Sequence, residues 1–384
     1  MRIRLILLLL IAFLNAFPQS MLKDLPLYSI RQIGSAQKDW LIDSPPAKAR
    51  VYRDAESKLL VLSNGLLTRS FCLIPGLACI DFRNESSGEQ LIRSIKPEAK
   101  ITINGKELEV GGLMGQKENA YLVPEWLSNM NKGKEEFIFD AFESAPISPY
   151  LQWKSNTWKL NGSQATGLEL RFHYHSNPSD LEDLQLTVHY ALFDGMPLIC
   201  KWITLKNQSN QAIKIDRVVN EIMATPEEES AVVGETNQMK IPHGIYIESN
   251  YAFNNAMRYD LSDQTTHWKA DSSYTSQVNY NYKTPCLLEV YVEKGPGIIL
   301  KKGDSFSSIR TFELLLDSYD RERRGLCIRR MYGLISPWTT QNPIFMHLVS
   351  KSDEEVRLAI DQCAATGYEA LILSFGSHCN MEDT

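Results

Sequence analysis

The chain has 384 residues, 43% of them hydrophobic and 22% charged, with a net charge of −6. This is the composition of a globular protein. No basic stripe is present, which excludes nucleic acid as a partner. Arg2 and Arg4 precede an apolar run at 5–14, which is too short to span a bilayer at about 20 residues. Small residues follow near Ala16, with Ser20 as a later cleavage option. The pattern predicts a signal peptide over 1–20, with an uncleaved anchor as the alternative. The expected location is secreted or periplasmic, with no membrane partner after signal cleavage. The remainder is long enough for two or three domains at about 150 residues each.

From about residue 50 to 320 the texture is β. Residues 59–66 read as strand, Asn64-Gly65 turn, strand, and residues 100–108 repeat this around Asn104-Gly105. Apolar and polar residues alternate over 167–174, 184–190 and 199–205. A turn at 207–210 leads into a strand over 212–219, and further short strands fall at 287–292, 297–300 and 308–315. Many short strands with turns between them predict a large antiparallel β-supersandwich, two broad sheets face to face, over 21–316. The texture becomes helical over 318–332 and stops at Pro337. Leu326, Ile328, Met331 and Tyr332 supply one apolar side. Residues 317–337 therefore read as a linker helix, or as a surface helix closing the sandwich.

Residues 338–384 read as strand, helix, strand. Residues 344–349 form an apolar run. Ser352 and Glu355 make a capping box. Val356, Ala359, Ile360, Cys363 and Ala364 form one apolar stripe, and Gly367 sits where a left-handed cap belongs. Residues 370–375 form a second apolar run. Strands this apolar need cover on both faces. The reading is the first βαβ unit of an incomplete (β/α)8 barrel, and the fold class is mainly β.

The seven cysteines are scattered, with no CxxC pair. Cys72 could pair with Cys79 in an exported chain, yet several cysteines read as small buried hydrophobes. No cofactor and no metal are expected. His173 with Glu169 or His175 has strand spacing for a shared ion but lacks a third ligand, so solvated strand residues are the preferred reading. Asp260, Asp263 and His267 form a loose polar cluster of loop type. Trp126, Trp153, Trp158 and Trp268 lie in polar segments rich in tyrosine, including Tyr246, Tyr251, Tyr259, Tyr274, Tyr280 and Tyr282. Exposed rings stack on the apolar faces of sugars, whereas core or interface packing is the plainer use of each ring. In barrels the ligand lies at the C-terminal ends of the strands. His347 ends the first run there, and residues 374–383 follow the second. The candidate substrate-binding residues are therefore Trp268, His347, Ser374, Ser377, Asn380, Glu382 and Asp383, for an oligo- or polysaccharide partner.

Three segments, 317–325, 336–343 and 367–377, resemble the secreted retaining α-galactosidases, the melibiase-like glycoside hydrolases. The resemblance implies an N-terminal β-supersandwich, a linker helix and a (β/α)8 barrel. It also implies hydrolysis by two carboxylates about 5–5.5 Å apart. In that family both carboxylates stand on later barrel strands. A barrel takes about 250 residues, so neither carboxylate has a counterpart here and no catalytic residue is assigned. In relatives the loop after the second strand carries paired acids. Here it has Ser374 to Ser377, with Glu382 and Asp383 only further on. The expectation is an N-terminal portion of a glycoside hydrolase, inactive alone. The alternatives are a non-catalytic carbohydrate-binding sandwich protein, a mutarotase-like or lyase-like sandwich enzyme with His and acid groups on its concave sheet, and an interrupted reading frame.

Overall fold

The computed structural model describes residues 22–29, 39–43, 48–117, 121–133, 137–149, 165–177, 181, 183–229, 234–251, 264–276, 279–337, 344–374 and 376–377. The signal-peptide stretch, Trp153, Trp158, Tyr259, Asp260, Asp263, Asn380, Glu382 and Asp383 lie outside these residues. The chain divides into two compact units: Met1–Ile147 with Thr166–Arg324, and Ser148–Ala165 with Gly325–Thr384. Among the described residues no helix is long and apolar enough to cross a membrane.

The described residues of the first unit are mainly β. Strands β1 (Arg50–Arg53), β2 (Leu59–Ser63), β3 (Leu67–Cys72) and β4 (Ala78–Asn84) form an antiparallel sheet in sequence order. A larger sheet follows. It contains β5 (Ala99–Ile103) and β6 (Lys106–Val110), while β7 (Leu113–Met114) and β8 (Asn131–Lys132) pair separately. It continues through β9 (Phe137–Pro146), β10 (Gly167–Ser176), β11 (Leu184–Phe193), β12 (Leu198–Asn207) and β13 (Ile213–Ala224). It is completed by β14 (Ile245–Ser249), β15 (Thr266–Lys269), β16 (Leu287–Tyr291), β17 (Ile298–Leu300), β18 (Ser305–Ser307) and β19 (Thr311–Leu315). Its main path runs β14-β19-β12-β11-β10-β9-β6-β5-β13-β16-β15.

The expected pair of broad antiparallel sheets is thus corrected in two respects. One sheet has four strands and the other thirteen. The large sheet is also mixed, because β6 meets β9 in parallel at Val110 and Phe137. The chain between those two strands is spent on β7 and β8, so it re-enters the sheet from the same end and cannot pair antiparallel.

Period-two alternation places one face of each strand in the core. Leu186, Val188, Tyr190 and Leu192 of β11 face inward with Ile199, Ile203 and Leu205 of β12. Leu60, Leu62, Phe71 and Phe82 of the small sheet meet them. The Phe71 ring lies 4.9 Å from Phe172 and 5.2 Å from Tyr190, centroid to centroid.

Helix α1 spans Arg321–Ile335. It begins three residues later than the sequence suggests, because the Asp320 carboxylate accepts from the Arg323 amide at 2.7 Å and acts as the cap. Its buried residues are Cys327 and Met331, while Leu326 is exposed, so the apolar side differs from the predicted one.

The second unit contains β20 (Phe345–Leu348), α2 (Asp353–Thr366) and β21 (Ala370–Leu373), with the two strands parallel. The predicted caps of α2 are present. Ser352 Oγ accepts from the Glu355 amide at 3.4 Å, and Gly367 adopts φ 83°. Ser352→Ala is expected to cost this helix about 1 kcal/mol. Loss of amide protection confined to α2 in hydrogen exchange would confirm it, and unchanged protection would refute it. The predicted stripe is buried only at Ala359 and Cys363, and Ile360 is exposed. Phe345 and Ile372 of the strands are exposed too. Two strands cover one narrow side of a helix, so burial of the whole stripe and of both strand faces does not occur among the described residues.

Candidate functional site

The predicted ligand loop can be placed in part. His347 is the third residue of β20, pairs in register with Ile372, and is exposed. The Ser374 amide donates to the Leu348 carbonyl at 2.8 Å, which extends the parallel ladder by one step. The Ser377 amide donates to the Ser374 carbonyl at 3.0 Å, and Ser377 Oγ accepts from the Ser350 amide at 3.3 Å. The two serines therefore tie the turn after β21 to the end of β20. Their hydrogen bonds serve the loop itself.

Trp268 lies elsewhere, on β15 in the first unit. It packs partly against the main core and lines a groove of about 600 Å³. The origin of the groove is topological. Strands β14 and β15 are the two ends of the large sheet, yet they come within 8 Å of each other, Cα to Cα. The sheet curls until its two free edges nearly meet. They are pinned at one point, where Ser249 Oγ and Thr265 Oγ1 lie 2.8 Å apart. The groove lies along this seam, with Ile245 and Ile247 on one side and Trp268 on the other. Gly244 precedes β14, and a Cβ there would require the Glu89 carboxylate to shift.

At the rim, His243 and Tyr319 stack with ring centroids 3.5 Å apart and planes 15° apart. Glu228 holds both rings. Its Oε2 lies 2.9 Å from His243 Nδ1, and its Oε1 accepts from the Tyr319 hydroxyl at 3.2 Å. A carboxylate only accepts, so the His243 N–H stands at Nδ1. Arg324 Nη1 donates to the His243 carbonyl at 2.5 Å. Lys240 pairs with Glu229 at 3.0 Å. One aromatic face with hydrogen-bonding groups around it can hold a polyhydroxylated ring. None of the rim residues was singled out from sequence, because 228, 243 and 319 are brought together only by the fold.

Three of the other aromatics have structural partners. Tyr274 donates to Glu227 at 2.5 Å, and the Arg93 guanidinium lies 3.6 Å from its ring. Trp126 packs on a small satellite cluster with Lys117 over its ring. Tyr246 donates to Glu248 at 2.7 Å. Tyr280 and Tyr282 are exposed. His173 Nδ1 meets Thr187 Oγ1 at 3.1 Å, and His175 Nδ1 meets Asp140 at 2.6 Å. Each histidine thus has its own partner. Among the described residues no group of three or more acids, cysteines or histidines could hold a metal ion. His267 lies on β15, not in a loop, and its Nε2 is 3.2 Å from the Tyr291 carbonyl of β16. Among the described residues Cys72 and Cys79 are buried and not joined in a disulfide. Burial pushes the thiols of Cys72, Cys79 and Cys200 up to about 12.

Acidic groups also converge between the sheets, but not in an open site. Arg69 from β3 contacts Glu221 at 3.2 Å and Glu313 at 2.9 Å. Lys201 contacts Glu221 at 2.9 Å and the Glu98 carbonyl at 2.5 Å. Tyr190 donates to the Glu98 carboxylate. Arg69, Lys201, Glu98, Glu221 and Glu313 are all at most 2% exposed. Burial opposes the charge of Glu221, but Arg69 and Lys201 overcome it and draw the carboxyl down to about 2. Burial and the neighbouring Glu221 charge push Glu313 well above the carboxylate range, and one of its oxygens has no hydrogen-bond partner. The cluster thus sets Arg69 and Lys201 against Glu98, Glu221 and Glu313, with burial and the Glu221 charge favouring the protonated form of Glu313. Among the described residues no histidine contacts the cluster, and a cavity of only about 10 Å³ borders it, so the mutarotase-like arrangement is not seen there.

No family model matches this sequence, and no curated protein matches it either. Among solved structures, the chain is similar to the α-galactosidase from Lactobacillus brevis at 11% identity, over 87% of this chain and 49% of that one, with a TM-score of 0.41. It is similar to the GH36 α-galactosidase AgaA from Geobacillus stearothermophilus at 12% identity, over 83% and 50%, with a TM-score of 0.41. A glycoside hydrolase family 97 enzyme variant from Pseudoalteromonas sp. strain K8 aligns at 8% identity, over 85% and 47%, with a TM-score of 0.31. The chain spans about half the length of these neighbours.

Proposed function

We propose that the chain is the saccharide-handling N-terminal portion of an exported glycoside hydrolase of the α-galactosidase type. In this reading it binds oligosaccharide in the seam groove and does not hydrolyse it alone. The observation that carries the reading is Trp268, a half-buried ring lining a groove whose rim offers Glu228, His243, Lys240 and Arg324. A sugar ring stacks on such a face while its hydroxyls find donors and acceptors. The order of sandwich, helix and parallel βαβ agrees with the plan that the resemblance implies. The retaining mechanism needs two carboxylates about 5–5.5 Å apart, and this reading assigns neither role to a residue of the chain.

The test is calorimetric titration with stachyose, the ligand in one of the AgaA complexes. Binding is expected, and Trp268→Ala should weaken it by about tenfold, equivalent to roughly 1.4 kcal/mol. Equal affinity in Trp268→Ala would sink the reading. Turnover of nitrophenyl α-galactoside above that of a Glu382→Ala, Asp383→Ala double variant would show that the chain hydrolyses unaided. The groove lies wholly in the first unit, which favours a second reading as a non-catalytic binding protein. Deleting residues 338–384 without loss of affinity would support that one.

A further inference from the structure

A second cavity lies apart from the seam, and it arises from a mismatch in strand length. Along one edge β13 has a broken partner. Strand β16 pairs with it as far as Val219 opposite Tyr291, and β17 resumes at Ile215 opposite Ile298. Residues 292–297 must therefore fit opposite 216–218 alone. The longer segment cannot stay in the ladder, so it arches away from β13. The local sequence suits an arch. Pro296 has no amide to donate to a ladder. Gly295 and Gly297 take φ values of 92° and 64°, a region that favours glycine.

Under the arch is a cavity of about 290 Å³. Its apolar walls are Val218 on β13, Val292 and Pro296 in the arch, Phe306 on β18 and Ile309 just before β19. The wall opposite the arch is tied in place. The Asn250 amide donates to the Arg310 carbonyl at 3.1 Å, and the Arg310 amide donates to Asn250 Oδ1 at 2.7 Å. Ser308 Oγ donates to Asn220 Oδ1 at 2.7 Å. The charge of the lining is one-sided. Lys294 is its one charged residue, it is exposed, and it has no ion pair among the described residues. No residue of this lining belongs to the seam groove.

We propose that this cavity binds a compact apolar carboxylate, its ring or short acyl body against the apolar walls and its head at Lys294. Ligand sites are mostly apolar concavities of about 300 Å³ or more with a few polar groups that fix orientation. This one stands at the small end of that range, which limits the ligand to a small body. Burying that body supplies affinity in proportion to the apolar area removed from water. An unbalanced ammonium at the mouth selects a single negative charge. A dianion would bring one charge that nothing in the lining balances, at a cost in lost hydration.

The test is fluorescence titration of the full chain with 2-naphthoate and with the neutral 2-naphthamide, which has the same rings. Naphthoate is expected to bind about fivefold tighter, and that advantage should vanish in Lys294→Met and in high salt. Lys294→Arg should keep it. Lys294 is exposed, so these variants should fold. Ile309→Ser should weaken both ligands alike, because it acts on the apolar wall and not on the charge. Naphthamide binding as tightly as naphthoate, or naphthoate unmoved by Lys294→Met, would overturn the assignment of the head group. Failure of both ligands to bind, or displacement of naphthoate by stachyose, would overturn the site itself and leave the saccharide reading untouched.

Discussion

Glu221→Gln is expected to cost about 3 kcal/mol or more of folding stability, because it leaves Arg69 and Lys201 buried with one carboxylate fewer. Glu313→Gln should cost less, since burial and the Glu221 charge already favour the protonated form of Glu313. The two effects should also couple. Once Glu221 is neutral, Glu313 can ionise beside Arg69 and restore part of the balance. The double variant removes that escape and should lose more than the sum of the single losses. Urea denaturation of the four proteins measures this directly. Simple additivity, or a Glu313→Gln as damaging as Glu221→Gln, would refute the assignment of the proton.

The pH dependence follows with opposite signs. Glu221 is depressed to about 2 in the folded state, so its contribution is present above the ordinary carboxyl value of 4.5 and is lost as pH falls toward 2. Glu313 is raised, so its contribution is complete below 4.5 and fades as pH rises toward its folded value. The wild type should therefore lose stability on the alkaline side, and Glu313→Gln should lose less there.

Asp271→Ala is the second large effect. Arg93 and Asp271 are each 2% exposed, and they meet at 2.7 Å. Lys96 adds a second contact to the carboxylate at 3.0 Å. Arg93 Nε also donates to the Thr225 carbonyl at 3.3 Å. The pair thus ties the loop after β4, the end of β13 and the loop after β15. Burial opposes the Asp271 charge, but Lys96, Ser273 and Arg93 win and hold the carboxyl down at about 2. Removing it strands a guanidinium in the interior, at a cost of about 3–5 kcal/mol. The double variant Arg93→Met, Asp271→Leu should recover most of that, because a well-packed apolar pair avoids the desolvation altogether. Thermal melts of the single and double variants decide it. A single variant that melts with the wild type would show the pair to be dispensable.

The sequence made the local elements readable and left their assembly hidden. The alternations at 184–190 and 199–205 are strands because a period of two has one meaning on a pleated sheet. The cap residues of α2 act within four residues of each other, so they too are legible. The buried cluster left a fainter signal. Lys201 sits between Ile199 and Ile203, on the inward parity of β12. Arg69 sits between Leu67 and Phe71 in the same way. A charge at an inward position asks for a partner, but the partners lie on β13 and β19 and in the loop before β5. The seam is less visible still. Strands β14 and β15 are neighbours in the chain and stand at opposite ends of the ladder, a fact set by every pairing in between. Trp268 stands out in the sequence as an aromatic in a polar segment. Its companions at the rim are ordinary residues in isolation.

The seam has one more consequence. A free strand edge is a template for pairing with another molecule, and natural sheets blunt or cover such edges. Here each edge is screened by the other, and the Ser249–Thr265 contact keeps them together. Loosening that contact would expose two templates at once. The stretch proposed to admit a ligand would thus also guard the chain against self-association, and a bound ligand would then act as a solubility factor for the protein that carries it.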